Sequence, residues 1–187
     1  MALRNAILAT LLDGESSGYD LAKTFDGSIA NFWMAAPQQL YRELERMEAD
    51  GLVEARLVEQ AKRPNKRVFQ LTPAGVDALR AFAAQEAKPS AIRDDLLVQV
   101  QAVDIVEPDL VSGHLVERLA IARERLQRFE QLRDRLLDGR EEDSFLHTAT
   151  RIGPYLTLRR GITFERENIE WFAWAIRVLD ARGPACD

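Results

Sequence analysis

The chain has 187 residues, enough for one medium-sized domain or two small ones, and 47% of them are hydrophobic. Its single cysteine, Cys186, excludes a disulfide-stabilised scaffold. The formal net charge of −5 excludes binding to nucleic acid through an overall basic character, so a DNA-binding function requires a local cluster of positive charge.

Two short helices are predicted near the N-terminus. Apolar residues recur at helical spacing from Leu3 to Leu12, and the turn-forming residues from Asp13 to Gly18 then interrupt the pattern. A second helix is expected from about Gly18 to Asp26, with Ser17 as its candidate N-cap.

A linker from Gly27 to Ala36 leads to a third predicted helix, from Pro37 to Ala49. Proline favours the first turn of a helix, and Gly51 is suited to end this one. Apolar residues in this helix recur at steps of four and three, which predicts one buried face. They are Leu40, Leu44 and Met47.

After Gly51 the apolar pattern predicts a β-hairpin with a basic loop. Its strands are expected at Leu52–Val58 and Val68–Leu71, and the loop between them runs from Glu59 to Arg67. The next helix is expected to start at Pro73, capped by Thr72.

The remainder is predicted to be helical beyond a junction at Glu86–Arg93. Helices are expected at Asp94–Val103, from Pro108 to near Leu137, and from about Tyr155 to Leu179, with a loose polar segment at Gly139–Ser144. These elements divide the chain into a domain of residues 1–87 and a domain of residues 88–187.

The order of elements in the first domain is typical of a winged helix-turn-helix, in which the third helix enters the major groove of DNA. The fold class is therefore mainly α with a small β-hairpin wing, followed by an α-helical dimerisation domain. Side chains outside the buried stripe of the third helix, together with the basic loop, are the candidate DNA contacts. They are Gln38, Gln39, Tyr41, Arg42, Arg46, Lys62, Arg63, Asn65, Lys66 and Arg67.

The long helix that starts at Pro108 carries an apolar stripe at steps of four and three, typical of a heptad pattern. Such a stripe cannot be buried by one helix alone, and a second copy of the chain is the simplest partner. The candidate dimerisation residues on this helix and on the last one are Leu115, Leu119, Leu126, Phe129, Trp171 and Phe172.

Several segments of the first domain resemble the PadR family of transcriptional regulators. They are Leu3–Leu8, Ser17–Leu21, Phe32-Trp33, Gln39–Val53 and Lys66–Gly75. In the second domain, Leu156–Ile162 and the later Trp171 are similar to the helical domain of the longer subgroup, which is related to virulence-activator-like proteins.

The resemblance implies a homodimer that binds an inverted-repeat operator in double-stranded DNA, usually as a repressor, and is often released by a small molecule. In some members that effector is a phenolic acid. Two positions depart from the family pattern: Gln38 stands where glycine is common, and Pro37 where a small or aromatic residue is common. Both belong to the third helix, so the operator sequence does not carry over.

Other function classes find little support in the sequence. His114 and His147 are far apart and lack the spacing of metal ligands, and no phosphate-binding glycine loop or nucleophile motif is present. We therefore expect no enzymatic activity, no metal and no cofactor. A winged helix that docks another protein instead of DNA is the main alternative, and a helical-bundle enzyme is a remote one.

The same sequence predicts no association with a membrane. No stretch of eighteen residues lacks a charged side chain, and the segment that begins Met1–Arg4 has neither the basic start nor the apolar block of a signal peptide. The expected location is the cytoplasm.

Overall fold

A computed structural model describes residues 2–27, 35–59, 65–87, 89 and 93–182. The chain forms two compact units, Met1–Pro89 and Ser90–Asp187. The first is a winged helix and the second is helical, which confirms the predicted fold class. Among the described residues, no helix combines the length and the apolar composition needed to cross a bilayer.

The first unit contains four helices and three short strands within its described residues. In chain order they are α1 Ala2–Leu11, β1 Ser16–Ser17, α2 Gly18–Gly27, α3 Pro37–Ala49, β2 Val53–Val58, β3 Lys66–Leu71 and α4 Pro73–Ala83. The strands form an antiparallel sheet in the order β1-β3-β2, and the hairpin of β2 and β3 is called the wing below.

The core of this unit joins the helices to the sheet. The predicted stripe of α3 is buried, and it packs with apolar side chains from α1, α2, β2 and β3. The cluster consists of Ile7, Leu8, Leu11, Leu21, Phe25, Leu40, Leu44, Met47, Val53 and Phe69. Because this stripe faces inward, the opposite side of α3 is left to solvent.

Two predicted caps are confirmed. The Ser17 hydroxyl accepts a hydrogen bond from the backbone N–H of Asp20 at 3.1 Å, and the Thr72 hydroxyl accepts one from Gly75 at 3.1 Å. Gly51 follows α3 with a φ of +69°, a conformation that favours glycine.

The wing differs from its predicted form in its second strand. Strand β3 begins at Lys66, two residues before the predicted start, so that Lys66 pairs with Val58 and Arg67 with Leu57. Both cations therefore lie on a strand rather than in the loop, because the ladder to β2 continues through exposed polar positions. The predicted loop residues Lys62 and Arg63 lie outside the described residues.

The second unit is built on two long helices. Its elements are α5 Asp95–Gln101, a 3-10 turn at Val103–Ile105, α6 Pro108–Leu137, α7 Glu142–Thr148 and α8 Gly153–Arg182. Helices α6 and α8 run antiparallel, since Glu130 near the end of α6 pairs with Arg166 in the first half of α8 at 2.7 Å.

The apolar stripe of α6 has its partner within the same chain. Leu115 and Leu119 are buried in one cluster with Phe172 of α8, against which Trp171 packs partly buried. Phe129 is buried in a second cluster with Leu158 and Ile162 of α8, and Leu126 packs partly buried against it. The stripe therefore needs no second copy to be buried, and dimerisation does not follow from it.

The segment predicted as a loose polar stretch is partly helical. Glu142–Ser144 form the first turn of α7, and the following Phe145 is buried with its ring centroid 5.1 Å from that of Tyr155. Phe145 is the buried residue of this short polar helix. One apolar residue forms no periodic pattern, so the sequence does not predict the helix.

Candidate nucleic-acid interface

The outward side of α3 presents the candidate side chains that the sequence singled out. Gln38, Gln39, Tyr41, Arg42 and Arg46 are all exposed. This side is polar and carries two cations, which suits contacts to phosphates and to base edges.

The side chain of Gln39 already makes a hydrogen bond at the start of its own helix. Its side-chain Oε1 accepts a hydrogen bond from the backbone N–H of Ala36 at 3.3 Å, which caps the start of α3. A glutamine binds adenine through both its oxygen and its nitrogen. Bidentate contact with a base would therefore require the Gln39 side chain to break its hydrogen bond with the backbone N–H of Ala36.

Tyr41 lies against the start of α2. A Cβ placed on Gly18 would stand 2.4 Å from Cε1 of Tyr41, so only glycine leaves room for the ring in this position. The side chain of Tyr41 remains 43% exposed. Its orientation is thus determined by α2, whereas one side of the ring stays open to a ligand.

A groove of about 510 Å³ separates the start of α2 from the wing. It combines two tyrosines, two cations and two carboxylates with the aromatic ring of β3. The lining residues are Ser17, Gly18, Tyr19, Asp20, Tyr41, Glu45, Lys66, Arg67 and Phe69. Tyr19, Asp20 and Glu45 were not among the candidate contacts predicted from the sequence. The predicted helix start at Ser17 is the signal for the first two, and the buried stripe of α3, which leaves Glu45 on an outer face, is the signal for the third.

Lys66 and Arg67, the described wing cations among the candidate contacts, are paired with carboxylates from two helices. Lys66 Nζ lies 3.7 Å from Oδ2 of Asp20 on α2, and the Arg67 guanidinium pairs with Glu48 on α3. Arg67 also lies over the Phe69 ring, 5.3 Å from its centroid. Asn65, at the end of the predicted loop, is exposed.

The two cations of α3 differ in their surroundings. Arg46 Nη1 lies 3.7 Å from Oε2 of Glu43, whose other oxygen accepts a hydrogen bond from Arg4 Nε at 2.9 Å. Arg42, by contrast, has no ion pair with any residue in the described ranges. Arg42 is thus the α3 cation that can engage a phosphate or a guanine without displacing a carboxylate.

The carboxylate beside Lys66 is kept ionised. A hydrogen bond from the Ser17 hydroxyl, with Oγ 2.6 Å from Oδ2, lowers the pKa of Asp20, and the positive charge of Lys66 lowers that pKa further. Asp20 therefore carries its full negative charge at neutral pH, and the groove holds opposite charges side by side.

No metal-binding cluster accompanies this surface. Within the residues that the structure describes, no group of three or more His, Cys, Asp or Glu side chains could hold a metal ion. The groove offers hydrogen-bonding groups and charged groups of both signs.

Comparison with known proteins gives the family. The model of the PadR-like family of transcriptional regulators matches residues 7–81, and that of the virulence activator alpha C-terminal domain matches residues 92–180. The probable transcriptional regulator Rv1176c of Mycobacterium tuberculosis is 34% identical, and the match covers 91% of this chain and 94% of that protein. The negative transcriptional regulator PadR of Bacillus subtilis is 24% identical, covering 95% and 97%.

Solved structures share the fold. Bacillus subtilis PadR in complex with operator DNA superposes with a TM-score of 0.76 at 22% identity, covering 96% of this chain and 99% of that one. The same protein in complex with p-coumaric acid gives a TM-score of 0.69 at 22% identity and the same coverage. The resemblance predicted from the sequence is thus confirmed. This chain belongs to the PadR-like family of transcriptional regulators and carries the C-terminal domain of the virulence activators.

Proposed function

We propose that this protein is a homodimeric, sequence-specific DNA-binding repressor that a small aromatic effector releases from its operator. The observation that carries the proposal is the exposed polar side of α3 beside the basic wing. Gln39 and Arg42 stand on that helix, and Lys66 stands on the adjoining strand. In this arrangement α3 enters the major groove, and the wing contacts phosphates or the minor groove.

Roles divide between the two elements by chemistry. Arg42 and Gln39 carry donors that match base edges, so they select sequence. Lys66 and the loop cations contact phosphates, so they set affinity and register on any sequence. The exposed Tyr41 hydroxyl is suited to a phosphate as well.

Exposed apolar side chains on the second unit support the dimer. Trp174 is 53% exposed on α8, and three more large apolar residues of the same helix are exposed, namely Leu156, Phe164 and Val178. A second copy that covers this surface would present two α3 helices to an inverted repeat, about 34 Å or one turn of DNA apart.

The effector and the sense of regulation are inferred from relatives. A Bacillus subtilis relative is described as a negative regulator and has been solved with p-coumaric acid. We therefore expect repression here, relieved by a small aromatic acid, and expect the protein to act in the cytoplasm beside the DNA it controls. A thermal-shift screen with phenolic acids tests the effector class, and stabilisation by none of them would contradict it.

The DNA-binding role is tested by footprinting the region upstream of the protein's own gene, followed by anisotropy titrations with the protected sequence. Replacing Arg42 by alanine should cost about 1–3 kcal/mol of binding free energy and relax sequence preference. Replacing Arg80, an exposed α4 cation paired with Asp77, is the matched control and should leave affinity unchanged.

The wing is tested by a triple alanine variant of Arg63, Lys66 and Arg67. It should weaken binding to all sequences alike and make the salt dependence shallower by about 0.9 per lost phosphate contact. If the wild-type protein binds no duplex even at low salt, the alternative of a protein-docking winged helix replaces this proposal.

A further inference from the structure

Carboxylates of the same chain hold most of the described cations on the proposed DNA-binding surface. Each of these carboxylates belongs to α2 or α3, and each pair has its atoms within 4.0 Å. The pairs are Lys66 with Asp20, Arg46 with Glu43, and Arg67 with Glu48. Among the described residues of this surface, three of the four cations are therefore paired with a carboxylate in the free protein.

Of the three, the pair between Glu48 and Arg67 is the one that also forms a hydrogen bond within 3.5 Å. The guanidinium of Arg67 donates a hydrogen bond to the carboxylate and also lies over the Phe69 ring. Both members are partly exposed, with 35% of the Glu48 side chain and 47% of the Arg67 side chain accessible. A phosphate can thus reach Arg67, but it meets a carboxylate already in place.

We propose that Glu48 sets the DNA affinity of this protein by occupying Arg67 in the unbound state; this inference rests on the proposed DNA-binding function. Glu48 is the intramolecular competitor of a backbone phosphate. Binding requires the Arg67 guanidinium to exchange its carboxylate for a phosphate, and the displaced carboxylate then stays close to the DNA backbone.

The competition lowers the affinity for operator and random DNA alike, because Arg67 gives up the same carboxylate in both cases. Non-specific affinity comes from neutralised phosphates and released counterions, so each cation that must first give up a carboxylate contributes less to it. Operator binding also draws on base contacts, which Glu48 does not oppose. Because the cost of releasing Arg67 is common to both complexes, Glu48 lowers the overall affinity without changing the ratio of operator to random binding.

The experiment measures binding of the full-length protein to a random-sequence duplex of about 30 base pairs, by fluorescence anisotropy, between about 50 and 200 mM salt. Glu48→Gln should raise affinity about two- to fivefold, the range expected when one exposed ion pair is removed. The salt dependence should stay close to that of the wild type, because Arg67 contacts a phosphate in both complexes and only the cost of releasing it from Glu48 differs.

The matched control is Glu54→Gln. Glu54 is exposed on β2 and accepts a hydrogen bond from Gln70, so its removal deletes one negative charge without freeing a cation. A double variant with Arg67→Gln completes the test, because the gain from Glu48→Gln should vanish when Arg67 is absent. Glu48→Ala serves as a second variant if Glu48→Gln melts at a lower temperature.

The outcomes separate this inference from the proposed function. A wild-type protein that binds no duplex at low salt overturns the DNA-binding role itself. The proposed role of Glu48 is wrong if the wild-type protein binds DNA but Glu48→Gln raises the affinity no more than Glu54→Gln does. It is also wrong if Glu48→Gln still raises the affinity when Arg67 has been replaced. A loss of affinity in both Glu48 variants would assign the pair to holding the wing in place, which also overturns the inference.

Discussion

Gly75 shows how a single residue allows α4 to pack closely against the segment that links α3 to β2. A Cβ at this position would stand 2.1 Å from the carbonyl oxygen of Leu52. The same carbonyl accepts a hydrogen bond from the backbone N–H of Thr72 at 3.2 Å. The contact is between backbone atoms, so a larger residue cannot be accommodated by rotating a side chain.

Replacing Gly75 by alanine should therefore lower the free energy of unfolding by about 1–3 kcal/mol, because the helix start must move away from Leu52. Urea denaturation followed by circular dichroism measures the change. Gly113→Ala is the control. Gly113 lies within α6, where an added Cβ would meet no atom within 4 Å, so the substitution should raise the free energy of unfolding by about 0.5–1 kcal/mol. Equal effects of the two substitutions would contradict the close contact at Gly75.

Glu165 is a residue whose environment the sequence could not reveal. Its side chain is 2% exposed between α8 and α6, with Oε1 3.6 Å from Arg125 and Oε2 accepting a hydrogen bond from Asn168 at 3.4 Å. Glutamates among arginines on a helix usually form a solvated face. The burial of Glu165 depends on how α6 and α8 pack, which no local pattern encodes.

At the scale of the elements, the start of α2 depends on one polar cap. The Ser17 hydroxyl accepts a hydrogen bond from the backbone N–H of Asp20 and donates one to the Asp20 carboxylate. Replacing Ser17 by alanine removes both bonds and should cost about 1 kcal/mol of stability at neutral pH. Thermal unfolding measures the loss, and an unchanged melting temperature would show that α2 does not depend on this cap.

The cap also has a pH signature. The pKa of Asp20 is lowered in the folded protein, first by the Ser17 hydrogen bond and then by Lys66. A lowered folded-state pKa stabilises the fold above the unfolded value of about 3.9, and this stability is lost as pH falls through the folded-state pKa. The stability difference between wild type and Ser17→Ala should thus narrow in acid, and a difference independent of pH would argue against the ionic part of the cap.

The elements predicted best from the sequence are those with a periodic apolar pattern and a residue that marks where the helix begins or ends. The stripe of Leu40, Leu44 and Met47 and the proline at position 37 define α3 almost to the residue. The start of β3 at Lys66 was missed, because exposed charged residues on a hairpin look the same in a loop as in a strand. The two-residue β1 was missed because two residues carry no period.

At the scale of the whole molecule, periodicity identified a buried face but not what covers it. The heptad stripe of α6 is buried, as predicted, yet Phe172 and Ile162 of the same chain cover it. A pattern of apolar residues is the same for an intramolecular and an intermolecular partner. The candidate side chains of α3 are exposed, as expected, whereas the carboxylates of α2 and α3 that pair with Lys66 and Arg67 were not foreseen.

We therefore predict that the dimer interface is formed by apolar residues that the single chain leaves exposed. Trp174 is the largest of these on α8, and together with Val178 it forms an apolar surface that water would cover in a monomer. Sedimentation equilibrium of the wild-type protein at micromolar concentration should give twice the 21.2 kDa of one chain. Trp174→Glu should shift the equilibrium to the monomer, because a buried unpaired carboxylate opposes association.

Arg177→Glu provides the control, since it introduces a carboxylate at an exposed position of the same helix without removing an apolar side chain. Retention of the dimer by Arg177→Glu and its loss in Trp174→Glu would assign the interface to this side of α8. Because two half-sites must be held together, the monomeric variant should also lose operator affinity while it keeps weak binding to random DNA. A wild-type mass of one chain would contradict both the interface and the inverted-repeat operator.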